Sequence, residues 1–173
     1  RLQRFFLSAL QSQLFNTLLA RRIDRGWYER VVQGDWARKH DTGGTFLVTD
    51  AEAESERARR LEISATLPLF GRSLAEFART VEGTDAQIMA WLLDEYELRW
   101  AQFAARHGDR RSSRVLLEAS EVREDEPGTL TLAFTLPKGS YATAVLREVT
   151  KTEVDAPFER AEQGSEDEGA LAP

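Results

Sequence analysis

Leu2, Phe6, Leu10, Leu14 and Leu18 recur every four residues, and Phe5, Leu7, Phe15 and Leu19 widen the stripe they make. That spacing predicts an amphipathic helix whose apolar face is too broad for a single neighbour to cover. Any fold adopted by this chain must bring structure against the helix from more than one side. No capping residue precedes the pattern, and Arg1 already falls inside it. The segment reads as a helix already under way in a longer protein. Asp24–Gly26 is expected to end it.

Downstream the signals are mixed. Residues 27–39 read as mostly extended, with Val31 and Val32 ahead of a Gly34-Asp35 turn. Asp41-Thr42-Gly43-Gly44 predicts a turn into Thr45–Val48 and a short hairpin. Thr49 with Glu52, Ser73 with Glu76 and Thr84 with Gln87 have capping-box spacing, so each is expected to open a helix. Residues 66–71, with Pro68 and Gly71, read as an ordered loop. The third helix is expected to be long, with Ile88, Trp91, Leu92, Tyr96, Trp100 and Phe103 on one stripe and Gly108 as its stop. Strands are then predicted at 115–122 and at Leu130, Leu132, Phe134 and Leu136, which alternate with smaller or polar residues. Glu126-Pro127-Gly128 turns between them, and Ser140 is expected to cap a helix to about Val149. Two strands and a helix are too little to stand alone, so this part predicts a sheet to join.

Charge divides along the chain. The net charge is −6, yet residues 153–173 hold seven acids and one arginine, leaving the first 152 residues balanced at 22 of each sign. The acidic end reads as a disordered tail, and the body is free to carry a basic face. Twenty of the 23 cations are arginine, which suits phosphate and base stacking better than lysine. The absence of cysteine excludes disulfides, zinc-thiolate sites and thiol nucleophiles. His40 and His107 lack ligand-like spacing, so no metal is expected. No apolar run reaches the roughly 20 residues that cross a bilayer, and no secretory signal pattern opens the chain.

Four stretches carry a resemblance. Leu7-Ser8-Ala9-Leu10-Gln11-Ser12-Gln13-Leu14-Phe15-Asn16 fits LSAxxSxxFN, and Gly34-Asp35-Trp36-Ala37 fits GDxA. Thr66-Leu67-Pro68-Leu69-Phe70-Gly71 is similar to TGPLxG, with Leu67 where the pattern has glycine. Residues 139–148, GSYATAVLRE, fit GSxATxxLRE, and Asp109-Arg110-Arg111 fits a place where paired arginines open a return strand. In this order and spacing, the chain resembles the TruD family of tRNA pseudouridine synthases.

The resemblance implies an α+β fold: a pseudouridine synthase catalytic domain with a second, helical and mixed domain inserted in it. Residues 1–109 would be part of the insertion. Residues 110–152 would be the C-terminal part of the catalytic domain, their hairpin and helix completing its mixed sheet. The implied activity is isomerisation of a uridine in tRNA by an enzyme of the cytoplasm, without metal or organic cofactor, monomeric once its N-terminal half is present. The family's catalytic aspartate lies in a GxKDxxA-like motif of the first half, and an NxFGxQRFG-like stretch also precedes the region matched here. Neither occurs in this sequence. No catalytic residue is therefore assigned, and this chain alone is expected to be inert while supplying RNA binding and support.

By the same resemblance Tyr141, Thr143 and Arg147 would lie beside the active site. Arg106, Arg110, Arg111 and Arg114 cluster around Gly108 and are candidates for phosphate contact, as are Arg21 and Arg22 near the end of the first helix. Trp91 and Trp100 read as core, whereas Trp27 and Trp36 stay open. The rival reading is a helical module that binds a protein, and a third is an RNA-binding relative without catalysis. Arg21, Arg22, Arg110, Arg111 and Arg114 gathered on one concave face would favour RNA; scattering would favour the rival.

Overall fold

A computed structural model of the chain describes residues 2–78 and 84–151. The expected acidic tail at 153–173 lies outside the described residues. Two compact units divide the chain, residues 1–116 and 117–173.

In the first unit the long helix α1 runs Leu2–Asp24. Gly26, at φ +66°, turns the chain out of it. A hairpin follows, β1 (Trp36–Lys39) and β2 (Thr45–Leu47), closed by the predicted Asp41–Gly44 turn. Helix α2 (Ala51–Arg59) starts one residue later than the Thr49–Glu52 pair suggests. Asp50 is its cap, its carboxylate accepting from the Glu52 and Ala53 amides.

Strand β3 occupies Ile63–Leu69, where Pro68 and Gly71 had argued for a loop. Its burial explains the misreading. Residues 63–68 are all buried, so the in–out alternation that marks a half-exposed strand is missing, and Ser64 and Thr66 interrupt the apolar run. Leu67 sits in this strand opposite Arg111 without a positive φ, so leucine fits where the family pattern has glycine. Strand β4 (Asp109–Ser112) completes a four-stranded antiparallel sheet in the order β2-β1-β3-β4. Pairing with β1 ends at Thr66, whereas pairing with β4 covers Thr66–Leu69. Pro68 thus lies where β3 has a neighbour on one side only, the place where a missing N–H is tolerated.

Helix α3 spans Arg72–Ala78 and α4 spans Thr84–Glu95. The predicted single helix through Phe103 is broken after Glu95. Glu97 takes a left-handed φ of +52°, and the Leu98 amide returns to the Leu93 carbonyl at 2.7 Å, a Schellman-like stop made without glycine. A 3₁₀ turn, Trp100–Phe103, carries the rest of the stripe. Leu14, Phe15, Leu18, Leu67, Phe70, Met89, Leu92, Leu93 and Phe103 form one core, with Trp91 and Trp100 packed at its edge. A second core gathers Val31, Ala37, Val48, Ala58, Ile63 and Ala65 under α2. The first turns of α1 stay outside both: Leu2, Phe5 and Phe6 are exposed.

The second unit holds a hairpin, β5 (Glu118–Glu126) and β6 (Thr129–Thr135), and helix α5 (Ala142–Thr150). The turn and β6 fall where the alternation predicts them, and β5 begins three residues later than expected. The N-cap of α5 is Tyr141, not Ser140, and its side chain makes no cap hydrogen bond. Both sheets of the described residues are antiparallel. No helix among the described residues is long and apolar enough to cross a membrane.

Candidate functional site

In an antiparallel pair, directly opposed residues present their side chains to the same face. The register of the first sheet therefore separates two chemistries. Ala37 opposes Ala65, and Leu67 shares their face toward the two cores. On the other face Trp36 opposes Thr66, Arg38 opposes Ser64, and Pro68 opposes Arg110. Arginine and hydroxyl groups pair across this polar face. Arg110 Nε donates to Thr66 Oγ1 and its Nη2 to the Thr66 carbonyl, both at 2.9 Å. Thr66 Oγ1 donates in turn to the Trp36 carbonyl at 2.7 Å. Arg38 Nη2 reaches the Arg110 carbonyl at 3.2 Å.

A cleft of about 310 Å³ opens on this face, floored by Trp36, Arg38 and Arg110 and walled by Ser73, Leu74 and His107. The wall is held by backbone. The Arg72 amide donates to the Arg106 carbonyl at 2.9 Å and the Ser73 amide to the His107 carbonyl at 2.8 Å. Gly71 and Gly108 touch where these segments cross, leaving no room for a side chain.

The arginines singled out in the sequence part company here. Arg22 is buried and pairs with the buried Asp35 at 2.6 Å, while also donating to the Arg30 carbonyl at 2.7 Å. Arg114 is buried too, donating to the Ala58 and Ile63 carbonyls at 2.8 Å and to Ser64 Oγ at 3.1 Å. Both guanidinium groups are thus engaged inside the fold. Arg106 is half-buried and spans to Ser8 Oγ at 2.7 Å and Gln11 Oε1 at 3.3 Å. Gln11 donates to the Phe70 carbonyl, so two of the motif stretches are stitched through one network. Arg21 lies 3.7 Å from the Trp91 ring centroid, and Arg111, exposed on the α1 side of the sheet, lies 5.2 Å from that of Phe15. The five arginines meant to mark one concave face do not gather there. Arg38, which the sequence did not single out, shares the cleft with Arg110. Trp36 and His107 join them; only the period-two register, invisible until β3 is recognised as a strand, reveals the grouping.

In the second unit Tyr141, Thr143 and Arg147 are all exposed at or within α5. Tyr141 belongs to no core there. Among the described residues no group of three His, Cys, Asp or Glu is placed to hold a metal ion.

His40 sits at the rim of the polar face, with Nε2 2.9 Å from Ser64 Oγ. Burial first, and the Arg114 guanidinium second, hold its pKa below the ordinary imidazole value. The unfolded chain therefore binds a proton that the folded chain refuses. Stability from this group is present above the ordinary pKa and is lost as pH falls through the folded one. Urea midpoints should drop between about pH 7.5 and about pH 5.5, and His40→Gln should flatten that drop. An unchanged slope in His40→Gln would dismiss the assignment.

Comparison with known proteins agrees with this architecture. The family model for tRNA pseudouridine synthase D (TruD) matches residues 1–149. The chain belongs to the TruD family. Among curated TruD relatives, tRNA pseudouridine synthase D of Thermus thermophilus is 51% identical over 152 residues, covering 88% of this chain and 41% of that protein. The Geobacter sulfurreducens protein of the same name is 46% identical over 156 residues, covering 87% of this chain and 36% of its own length. A crystal structure of a proposed TruD from Methanosarcina mazei superposes with a TM-score of 0.59 at 28% identity, over 82% of this chain and 36% of that one. The chain thus spans about two-fifths of the TruD relatives it matches.

Proposed function

We propose that this chain works as part of a tRNA pseudouridine synthase, holding tRNA while an aspartate elsewhere in the polypeptide isomerises a uridine. The family match over residues 1–149 carries this reading. The chemistry divides the labour. Isomerisation breaks the N1 glycosidic bond, turns the base and rejoins it through C5, and the C5 hydrogen leaves as a proton. No aspartate of this chain lies in a GxKDxxA-like motif, so the contribution made here is binding and support. Folded RNA is recognised through its backbone and exposed bases, which the cationic and aromatic polar face of the first sheet can meet. On the same reading residues 1–109 belong to the inserted domain and residues 110–152 return to the catalytic one. Tyr141, Thr143 and Arg147 then stand beside the active site. The β4 strand, Asp109–Ser112, pairs with β3 of the first unit. The partner is tRNA, the compartment the cytoplasm, and the working form a monomer.

The test uses tRNA transcripts carrying tritium at uridine C5, which release one tritium per pseudouridine formed. The complete polypeptide containing this chain should release tritium, whereas residues 1–173 alone should bind the transcript without release. Failure of the complete polypeptide to release tritium from any tRNA would sink the enzyme reading and favour a binding relative.

A further inference from the structure

Arg4, Ser8, Gln11 and Phe15 follow one another at helical spacing, so they mark a single line along α1. Each of the four carries or receives an arginine. Arg4 is exposed and makes no hydrogen bond or ion pair among the described residues. Ser8 and Gln11 both accept from Arg106, at 2.7 and 3.3 Å, which fixes that guanidinium against the middle of the line. Phe15 meets Arg111, whose guanidinium carbon lies 5.2 Å from the ring centroid. A cation–π contact engages the charge and not the donors. The N–H fork of the exposed Arg111 therefore still has no acceptor among the described residues. Arg72, exposed at the start of α3, is tied to the same place by its amide, which donates to the Arg106 carbonyl.

Little along this line offsets the charge. Helix α1 has no aspartate or glutamate before Asp24, its last residue. The one acid of β4, Asp109, stands two residues before Arg111 and so shares its face of the strand. Its carboxylate accepts from the Arg110 amide at 2.7 Å. Arginines gathered in this way repel one another, and an acid among them would relieve the repulsion. The middle one is held instead by a hydroxyl and an amide, which fix its position and leave its charge intact. Such a row becomes favourable when an anion with regularly repeated charges lies along it. From Arg4 to Phe15 the helix axis advances about 16 Å, the reach of a short run of nucleotides and not of one small anion.

We infer that this line of α1 is a contact surface for the sugar–phosphate backbone of tRNA. Arg4 and Arg111 take phosphates at its two ends, and Arg106, already bonded, contributes its field between them. Contacts of this kind set the register of the strand and read no base. The inference rests on the tRNA-binding reading above and adds to it the residues that hold the strand.

The experiment measures affinity of the complete polypeptide for an unmodified tRNA transcript across a salt series from about 50 to 200 mM. Arg4→Gln and Arg111→Gln should each weaken binding about tenfold and lower the slope of log affinity against log salt by about one. Arg111→Lys, which keeps a point charge for the phosphate, should retain the parent's slope. Arg60→Gln, at an exposed position paired with Glu62, should change neither affinity nor slope. If the parent binds tRNA and either glutamine variant on the line keeps the parent's slope, the surface is refuted while the family reading stands. If the parent itself does not bind, the tRNA reading fails and takes the surface with it. Should a variant melt well below the parent, arginine-selective modification of the unaltered protein by phenylglyoxal decides. Peptides holding Arg4 and Arg111 should react without tRNA and be shielded in its presence. Reaction that tRNA leaves unchanged, or that is already absent without it, refutes the surface.

Discussion

Gly71→Ala should cost the first unit about 3 kcal/mol or more and lower its melting temperature by roughly 10 °C. A Cβ on Gly71 would lie 2.6 Å from the His107 carbonyl carbon and closer still to the Gly108 nitrogen and Cα. All three are backbone atoms. A flexible side chain could swing aside, but relief here requires the two segments to separate. The bonds that hold them, Arg72 amide to Arg106 carbonyl and Ser73 amide to His107 carbonyl, would be lost or stretched with the movement. Phe70 and Phe103, both fully buried and 5.4 Å apart between ring centroids, flank the crossing and would have to repack. Gly108→Ala meets the same obstacle from the other side and adds a second. Its φ of +83° is a conformation that alanine resists. Urea or thermal unfolding of both variants checks the expectation. A Gly71→Ala protein within about 0.5 kcal/mol of the parent would mean the two segments do not meet as described.

Arg22→Met should destabilise by about 3–5 kcal/mol, because it leaves Asp35 charged and buried without its cation. The guanidinium spans both Asp35 oxygens, Nη1 to Oδ1 at 3.1 Å and Nη2 to Oδ2 at 2.6 Å, and also satisfies the Arg30 carbonyl. Asp35 has a second duty, accepting from the Val32 amide at 2.8 Å and so closing the turn into β1. Asp35→Asn keeps an acceptor for that amide and should cost less than Arg22→Met. The double variant Arg22→Met/Asp35→Asn should cost less than the sum of its parts, since neither charge is then stranded. A double-mutant cycle by urea unfolding measures this directly. Additive costs, or an Arg22→Met effect below about 1 kcal/mol, would show the pair to be incidental.

The same arginine shows where the sequence could be read and where it could not. As a string, Arg21-Arg22 at a helix end is an exposed cationic pair, and nothing local distinguishes the two. The distinction comes from Asp35, thirteen residues on, which lies in the family's GDxA stretch and draws one of them inward. Arg114 is similar, its partners being the Ala58 carbonyl of α2 and the Ile63 carbonyl of β3, both more than fifty residues away in sequence. Local signals served well where local physics decides. The α1 periodicity, the Asp41–Gly44 turn and the alternation of β6 all correspond to observed elements. They failed at β3, where burial on both faces erases alternation and Ser64 and Thr66 are made acceptable by His40, Arg110 and Arg114 from elsewhere in the chain. Because the cleft is built on β3, its grouping of Trp36, Arg38 and Arg110 was hidden by the same error. Family membership, by contrast, was legible from four short stretches. Ser8 and Gln11 of one stretch are joined to Phe70 of another through Arg106 and the Gln11–Phe70 bond.

Pro68 has a consequence for how molecules of this protein behave toward one another. Beyond Thr66 the flank of β3 facing β1 has no strand partner among the described residues, although Leu67 and Pro68 are themselves buried, and an unpaired flank is the kind of feature onto which a strand from a second molecule can zip. Such growth needs an uninterrupted row of donors and acceptors. Proline removes a donor from the row within two residues of its start, and the residues beyond it run directly into the Gly71 crossing. The edge is therefore too short, too buried and too poorly furnished to template a foreign strand.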